Sequence, residues 1–191
     1  MTSQELYASD VGLAVALDLS NLARENDGVA ELRLLFASEP ISVGSIDDSQ
    51  AEQLLDLAHR SADIAGLLAG PPDRDGNGAG DQDQDLDRAA ELVNGLLERF
   101  PAVLHLTREP EGWTLHHHRR DAPLVPAWSG VVAGAFARVI GDGRQSRVGS
   151  CSAADCGRYF YDLSKNNSRR YCSLACQNRA KAAAYRSRQA G

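Results

Sequence analysis

Apolar residues recur every three or four positions in four stretches of the chain, the spacing that places them on one face of an α-helix. The last three stretches are bounded by residues that start or stop helices: Asp-Asp-Ser as an N-cap, Gly-Pro-Pro, Pro101 or a Gly-Asp-Gly sequence as a stop, and proline in a first turn. The pattern therefore predicts four helices, over residues 11–24, 47–70, 86–100 and 126–140.

Alternation of apolar and other residues marks the extended segments. Leucine and phenylalanine alternate over residues 32–36, which predicts a strand or an irregular extended piece. Residues 103–107 and 113–118 alternate around the turn sequence Glu109-Pro110-Glu111-Gly112, which predicts a β-hairpin. The expected fold class is α+β, with a mainly helical N-terminal domain packed on a small antiparallel hairpin or sheet.

Charge divides the 191 residues into two unequal parts. Residues 1–143 carry 10 Lys/Arg against 24 Asp/Glu, a net charge of -14, and residues 144–191 carry 10 against 2, a net charge of +8. The chain is therefore predicted to contain an acidic domain, residues 1–143, and a small basic module, residues 144–191. Residues 71–84, rich in Gly and Asp and without an apolar anchor, are predicted to form a mobile loop.

The N-terminal sequence lacks the basic region of a signal peptide. The longest apolar stretches, around residues 131–140, are too short to span a bilayer. These features predict a cytoplasmic protein without a membrane partner. No Ser-His-Asp, phosphate-loop or dinucleotide motif is present, so no catalytic residue is assigned and an enzymatic activity is not expected.

The four cysteines of the chain are spaced as Cys151-x4-Cys156-x15-Cys172-x3-Cys176. Two close pairs separated by a short loop are typical of a tetrahedral zinc site, because each pair supplies two thiolates from one turn of backbone. In a reducing compartment such clusters are more often metal sites than disulfides, which are the alternative. Four thiolates leave no open coordination position, so one structural Zn²⁺ is predicted rather than a catalytic one.

The sequence around the cysteines predicts a treble-clef-like zinc finger. Cys156-Gly157 suits the turn of a zinc knuckle, because glycine lets the backbone direct amide groups toward the sulfur atoms. Residues 159–161 are predicted to form one extended arm and residues 169–171 the second arm. Cys172 and Cys176 are four residues apart, so on a helix they lie on the same side.

The last helix is predicted to present a cationic, hydrogen-bonding face. At 100° per residue, Ala180, Ala183 and Ser187 fall on the side of Cys176 and are expected to pack against the knuckle. The opposite face and its edges, with two arginines from the preceding arm, are candidate nucleic-acid contacts. They are Arg169, Arg170, Asn178, Arg179, Lys181, Tyr185, Arg186 and Arg188. The alternatives are a face that only solubilises the helix or forms salt bridges to the acidic domain, and one that docks onto a protein.

The C-terminal part closely resembles the CGNR zinc finger of bacterial proteins. The resemblance rests on two segments, Cys151-x4-Cys156-Gly157-x2-Phe160-x-Asp162-x-Ser164 and Ser168-Arg169-Arg170-Tyr171-Cys172-Ser173-x2-Cys176-x-Asn178-Arg179-x-Lys181-x3-Tyr185-Arg186-x-Arg188. Gln177 stands where the name-giving motif has glycine. In that family the finger follows an ABATE domain, described as a stress-induced transcription regulator. The stretch Ala16-Leu17-Asp18-Leu19-Ser20-Asn21 is similar to an early motif of that domain. The resemblance implies DNA binding by the finger and effector sensing by the front domain.

Three further predictions are more open. Asp18 and Asn21 lie three apart in an apolar helix, where they either line a ligand pocket or bond within the core. His116 and His118 share one face of a strand and have no evident third metal ligand, so an exposed polar edge is preferred to a metal site. A homodimer is compatible with a finger that covers few base pairs.

The two function hypotheses are a DNA-binding transcription regulator, with DNA and a small-molecule effector as partners, and a protein-interaction adaptor.

Overall fold

The computed structural model describes residues 3–24, 28–37, 46–70, 82–110, 112–119 and 121–189. Within these ranges the chain forms six α-helices, one 3₁₀ turn at Gln145–Arg147 and two antiparallel two-stranded sheets. The helices are α1 Ser3–Leu22, α2 Gly28–Ala37, α3 Asp48–Ala69, α4 Gln82–Arg99, α5 Leu124–Gly141 and α6 Leu174–Gln189. The strands are β1 His105–Glu109, β2 Gly112–His116, β3 Val148–Ser150 and β4 Tyr159–Tyr161. The predicted α+β class is confirmed.

The hydrophobic core lies between the first five helices. Leu19 of α1, Ile64 of α3 and Trp128 of α5 are completely buried there. The ring of Phe36 meets the edge of the Trp128 ring at a centroid distance of 5.0 Å. The apolar stripes that predicted the helices are therefore the surfaces that pack together.

The extended piece predicted over residues 32–36 is wrong, because this segment belongs to α2. Leu32 and Phe36 are four residues apart and both are fully buried, whereas Leu34 is 72% exposed. The apolar residues therefore fit helical spacing as well as alternation, and packing of α2 against α3 decides for the helix.

Helix α3 begins and ends as its sequence predicts. The Asp47 side chain accepts a hydrogen bond from the Gln50 N–H, and the Gln50 side chain accepts one from the Asp47 N–H, forming a capping box. Gly70, at a φ of +63°, ends the helix. Most of the predicted loop, residues 71–81, lies outside the described residues, and its last residues instead form the first turn of α4.

The predicted hairpin is confirmed, but it lies outside the hydrophobic core of the helices. β1 and β2 pair in the register Leu106 opposite Leu115 and Arg108 opposite Trp113. Among the described residues of 103–118, none belongs to the hydrophobic core. The second sheet supports the core instead, because Val148 of β3 is buried in it and Tyr159 and Tyr161 of β4 pack against it.

Helix α5 is long and apolar enough, by length and composition, to cross a membrane. The expectation that no stretch of the chain reaches this length is therefore wrong. More than half of α5 is buried, with Trp128, Val132 and Phe136 fully enclosed by the other helices. This burial accounts for its apolar character as that of a core helix.

Candidate zinc centre and nucleic-acid interface

The four cysteine sulfur atoms form one cluster, all within 4.8 Å of one another. The Sγ atom of Cys172 lies 3.5 Å from that of Cys176 and 3.7 Å from that of Cys156. Tetrahedral zinc with Zn–S bonds of about 2.3 Å separates its sulfur ligands by roughly 3.8 Å, so the cluster fits the ion. Disulfide bonds are about 2.05 Å long, and the four cysteines are free thiols. The prediction of one zinc-binding site is confirmed.

The first pair of cysteines lies in a knuckle between β3 and β4. The Cys151 N–H donates to the Arg158 carbonyl at 2.9 Å, which closes the base of the knuckle. Gly157 has a φ of +63°, a conformation that glycine adopts without strain. An added Cβ there would also approach the Arg24 guanidinium to 2.8 Å, but this flexible side chain can move aside, so the backbone conformation is what favours glycine.

The second pair of cysteines lies at the start of α6. Cys172 precedes the helix and Cys176 lies in its first turn, so only one of the two is helical. Their side chains still converge because the backbone turns sharply through Ser173, whose Oγ accepts a hydrogen bond from the Cys176 N–H at 3.2 Å. This Oγ acts as an N-terminal cap for the helix that carries the ligand.

The arms of the predicted finger are assigned differently in the structure. β4 pairs with β3, which belongs to the segment predicted to be a linker, and residues 169–171 form no strand. The Ser152 N–H donates to the Arg170 carbonyl at 2.9 Å, which is the contact that holds the returning chain beside the knuckle. The knuckle and the ligand-bearing helix are present as predicted, but the hairpin flanks the knuckle instead of following it.

Hydrogen-bond donors and burial set the thiol chemistry. Burial first, and then hydrogen bonds with the other three cysteines, raise the pKa of Cys172 to about 12. The hydrogen bond with Ser173 lowers the pKa of Cys176 to about 7. The Arg179 guanidinium donates to the Cys176 Sγ at 3.2 Å, and the Cys172 N–H donates to the Cys151 Sγ at 3.4 Å. Such donors stabilise thiolates, the form that binds zinc.

Asp162 organises the loop that follows β4. Its buried carboxylate accepts hydrogen bonds from the Ser164 and Arg169 N–H groups, both at 2.7 Å. Burial opposes ionisation, but these bonds outweigh it and the pKa of Asp162 is lowered. Arg147 donates to the Asp162 and Ser164 carbonyls at 2.8 and 2.9 Å. The motif Asp162-x-Ser164 was visible in the sequence, but its partners were not.

The part of the chain that runs from the knuckle to the ligand-bearing helix matches one known family. Residues 147–189 match the CGNR zinc finger family. No curated protein matches the chain. The resemblance of the front domain to the ABATE domain stays a prediction.

Helix α6 of the CGNR zinc finger projects away from the rest of the protein. All side chains from Lys181 to Gln189 are exposed, and Tyr185 is 61% exposed. The expectation that Ala183 and Ser187 pack against the knuckle is wrong, whereas Ala180 is half-buried. A helix rises about 1.5 Å per residue, so its last two turns extend past this small knuckle.

Of the eight predicted nucleic-acid residues, five are exposed on α6 and one has a structural role in the finger. Asn178, Lys181, Tyr185, Arg186 and Arg188 lie exposed on α6 of the finger. Arg169 instead holds the finger together: it donates to the Tyr161, Tyr171 and Cys172 carbonyls, and its guanidinium lies 4.8 Å from the Phe160 ring centroid.

The other two predicted contacts, Arg179 and Arg170, are exposed and also make bonds within the finger. Arg179 is exposed but bonds to a zinc-ligand sulfur, which ties it to the metal centre. Arg170 is exposed, and its carbonyl accepts from the Ser152 N–H. Contact of any of these side chains with nucleic acid stays a prediction.

Asn21 joins the front domain to the finger. Its side-chain amide donates to the Tyr159 carbonyl at 3.0 Å, and its side-chain oxygen accepts from the Tyr159 N–H at 2.7 Å. Both backbone groups of Tyr159 are thus paired as they would be by a neighbouring strand. Arg24 adds a contact with the Tyr159 ring at 5.5 Å from its centroid. Of the two roles considered for Asn21, the core hydrogen bond is the one present.

Asp18 lines a cavity of about 820 Å³ between α1 and the finger. Leu13 and Leu17 form part of its apolar wall, and Arg158 and Arg179 supply positive charge on the finger side. Burial raises the pKa of Asp18, and the positive charge of Arg158 opposes this effect. Asp18 therefore remains a candidate ligand-binding residue. Asn21 also lines this cavity, but its side-chain amide is already hydrogen-bonded to Tyr159.

The histidines on the hairpin do not form a second metal group in the part of the chain that the structure describes. The His116 and His118 rings contact each other edge to face, with centroids 5.3 Å apart. The His118 Nδ1 atom lies 2.8 Å from the Arg119 carbonyl oxygen. The expectation of an exposed polar strand edge is wrong in its exposure, because His116 and His118 are both half-buried and His118 lies just beyond β2.

Proposed function

We propose that this protein is a DNA-binding transcription regulator of the bacterial cytoplasm, without enzymatic activity, whose finger contacts DNA through α6. The observation that carries the proposal is the projection of α6, a helix with four Arg and Lys residues and no acidic residue. Its exposed Asn178 and Tyr185 add groups that hydrogen-bond to bases or stack on them. A single helix of this width fits the major groove of B-DNA.

The electrostatics of the finger support a phosphate-bearing partner. Residues 163–191 contain seven Lys/Arg and no Asp/Glu. Within the described ranges, no ion pair involves a cation of α6. The described part of the acidic front domain therefore forms no ion pair with this helix, which leaves the positive charge of α6 available to DNA. The zinc ion would hold the knuckle and the start of α6 together and so set the direction in which the helix projects.

Binding of the zinc-loaded protein to a library of short genomic DNA fragments tests the proposal. Lys181→Ala/Arg186→Ala is expected to weaken binding roughly 10- to 30-fold and to reduce the slope of log K against log salt by about 2, because two phosphate contacts are lost. Fluorescence anisotropy at several salt concentrations measures both quantities. Lys165→Ala/Arg88→Ala removes the same net charge from exposed positions outside α6 and should change binding little.

The alternative function, a protein-docking adaptor, gives a different result in the same assay. Zinc-loaded protein that binds neither DNA nor RNA at low salt would contradict the regulator proposal. A loss of binding that is equal in the α6 variant and in its charge-matched control would also count against α6 as the contact surface, since only bulk charge would then matter.

The proposed effector site is the cavity between α1 and the finger. A ligand there contacts both parts of the chain, with Asp18 on one wall and Arg158 and Arg179 on the other. A volume of about 820 Å³ is in the range of small-molecule sites. Because Arg179 also bonds to a zinc-ligand sulfur, such a ligand would act on the start of α6.

A thermal-shift screen of metabolites on the zinc-loaded protein checks the effector site. Compounds that bind the cavity are expected to raise the melting temperature of the wild type and to lose at least half of that shift in Asp18→Asn. Asp63→Asn, an exposed carboxylate on α3, is the matched control. Hits that stabilise wild type and Asp18→Asn equally would place their site elsewhere.

A further inference from the structure

The β1–β2 hairpin has its polar and apolar faces reversed relative to an ordinary surface hairpin. His105, Thr107 and Thr114 lie on the partly covered face. The opposite face carries Arg108 and three apolar residues that point to solvent: Leu106 is 59% exposed, Trp113 67% and Leu115 36%. Antiparallel surface sheets normally direct the apolar face inward.

Leu104, 66% exposed, extends this face at the base of the hairpin, two residues before Leu106. We call Leu104, Leu106, Trp113 and Leu115 the hairpin face. Arg108 lies beside it, with its guanidinium 5.9 Å from the Trp113 ring centroid. In the described residues no other element packs on this face, and neither outer edge of the sheet pairs with a further strand.

A two-stranded hairpin of this kind needs a partner. Isolated two-stranded sheets are marginally stable in water, and an apolar face must pack against something to stabilise them. A tryptophan and three leucines on one exposed surface are also the composition of interface centres rather than of ordinary protein surface.

We propose that a second copy of this chain covers the hairpin face, forming a symmetric dimer. The exposed part of the four side chains amounts to roughly 450 Å² per copy, taking ordinary side-chain areas. Two copies would therefore bury about 900 Å² before any rim residue is counted, close to the ~1,000 Å² that a specific interface needs. Pairing of one face with itself across a two-fold axis uses this single apolar surface completely.

The proposed interface is distant in sequence from the finger and does not depend on DNA binding. The strands of the hairpin pair only with each other among the described residues, and the proposed interface uses none of the exposed residues of α6. Two fingers presented by one symmetric particle would contact two related half-sites. The oligomeric state is measured without DNA. A failure of the dimer proposal can therefore be distinguished from a failure of the DNA-binding proposal.

Sedimentation equilibrium of the zinc-loaded full chain tests the dimer. The wild type is expected to form dimers with a dissociation constant on the order of micromolar. Leu106→Ser/Trp113→Ser is expected to raise this dissociation constant at least 30-fold. Leu34→Ser is the matched control, because Leu34 is 72% exposed on α2, away from the hairpin face. A wild type that stays monomeric up to 200 µM, roughly a hundred times that constant, or a double variant that dimerises as the wild type does, overturns the proposal.

Tryptophan fluorescence gives a second readout that does not depend on a variant folding well. The chain has two tryptophans, and Trp128 is fully buried, so changes in iodide quenching report on Trp113. Trp113 is expected to be quenched in dilute wild type and protected as concentration rises through the dissociation constant. Protection that is already complete in a monomer would show that the face is covered within the chain, which contradicts the proposal. Leu104→Ser, outside both strands, should shift the protection to higher concentration.

Discussion

Cys151→Ser is expected to unfold the finger and to leave the helical core folded. Cys151 is fully buried, and the small cluster around it holds only Ala153 and Cys176 as further buried residues. So little apolar surface does not stabilise a fold alone, and zinc binding supplies roughly 10 kcal/mol or more in modules of this size. Removing one of four thiolates therefore costs the finger most of its stability, while α1 to α5 retain their own packing.

Zinc content and limited trypsin digestion measure this effect. The variant should carry well below one zinc per chain and should be cleaved more rapidly at Arg147, Arg158 and Arg169, which hydrogen bonds hold in place in the folded finger. Ser152→Ala, next to the changed cysteine, is the control and should retain zinc, because its structural contact uses the backbone N–H. Wild type treated with a chelator should show the same cleavages. Stoichiometric zinc together with wild-type protease resistance in Cys151→Ser would rule out this ligand assignment.

Local features of the molecule were predictable from sequence because local spacing encodes them. The thiolate cluster follows from two short-range pairs of cysteines, and the helices follow from stripes of apolar residues that need only one buried face. The hairpin follows from alternation around a turn. In each case the residues that define the feature are within about 25 positions of one another, so no knowledge of the wider fold is required.

The predictions that failed depended on what each segment packs against. Leu32 and Phe36 fit a strand or a helix equally, and only their common burial against α3 selects the helix. The sequence offers several potential partners for β4. β3 falls in the predicted linker, because its three residues are too few to show an alternating pattern. Ala183 was expected to be covered, although the knuckle is too small to reach it. Side-chain pattern alone does not specify such long-range partners.

The contact between the front domain and the finger shows this limit most clearly. Asn21 and Tyr159 are 138 residues apart in the chain. An asparagine in an apolar helix signalled a special role, but the sequence left open a ligand pocket and a core hydrogen bond. The structure shows that Asn21 completes the hydrogen bonds of a β4 residue, as an added strand would. The finger is thereby held to α1 by polar groups as well as by the packing of Tyr159 and Tyr161.

Asn21→Ala is accordingly expected to lower the free energy of unfolding by about 2–4 kcal/mol, because the part-buried N–H and carbonyl of Tyr159 both lose their hydrogen-bond partner. Ser20→Ala is the matched control: Ser20 is also buried, but its hydroxyl bonds only to the Ala16 carbonyl within α1, so about 1 kcal/mol or less is expected. Urea unfolding followed by circular dichroism gives both values.

Zinc dependence separates this contact from a simple defect in α1. β4 is expected to be ordered only when the finger holds zinc, so the cost of Asn21→Ala should fall below about 1 kcal/mol in excess chelator, where Tyr159 has no fixed position. The cost of Ser20→Ala should be the same with and without zinc, since its bond lies within one helix. An Asn21→Ala penalty that is equal under both conditions would mean that Asn21 stabilises the front domain alone. The zinc-dependent difference is therefore the free energy by which this one side chain couples the finger to α1.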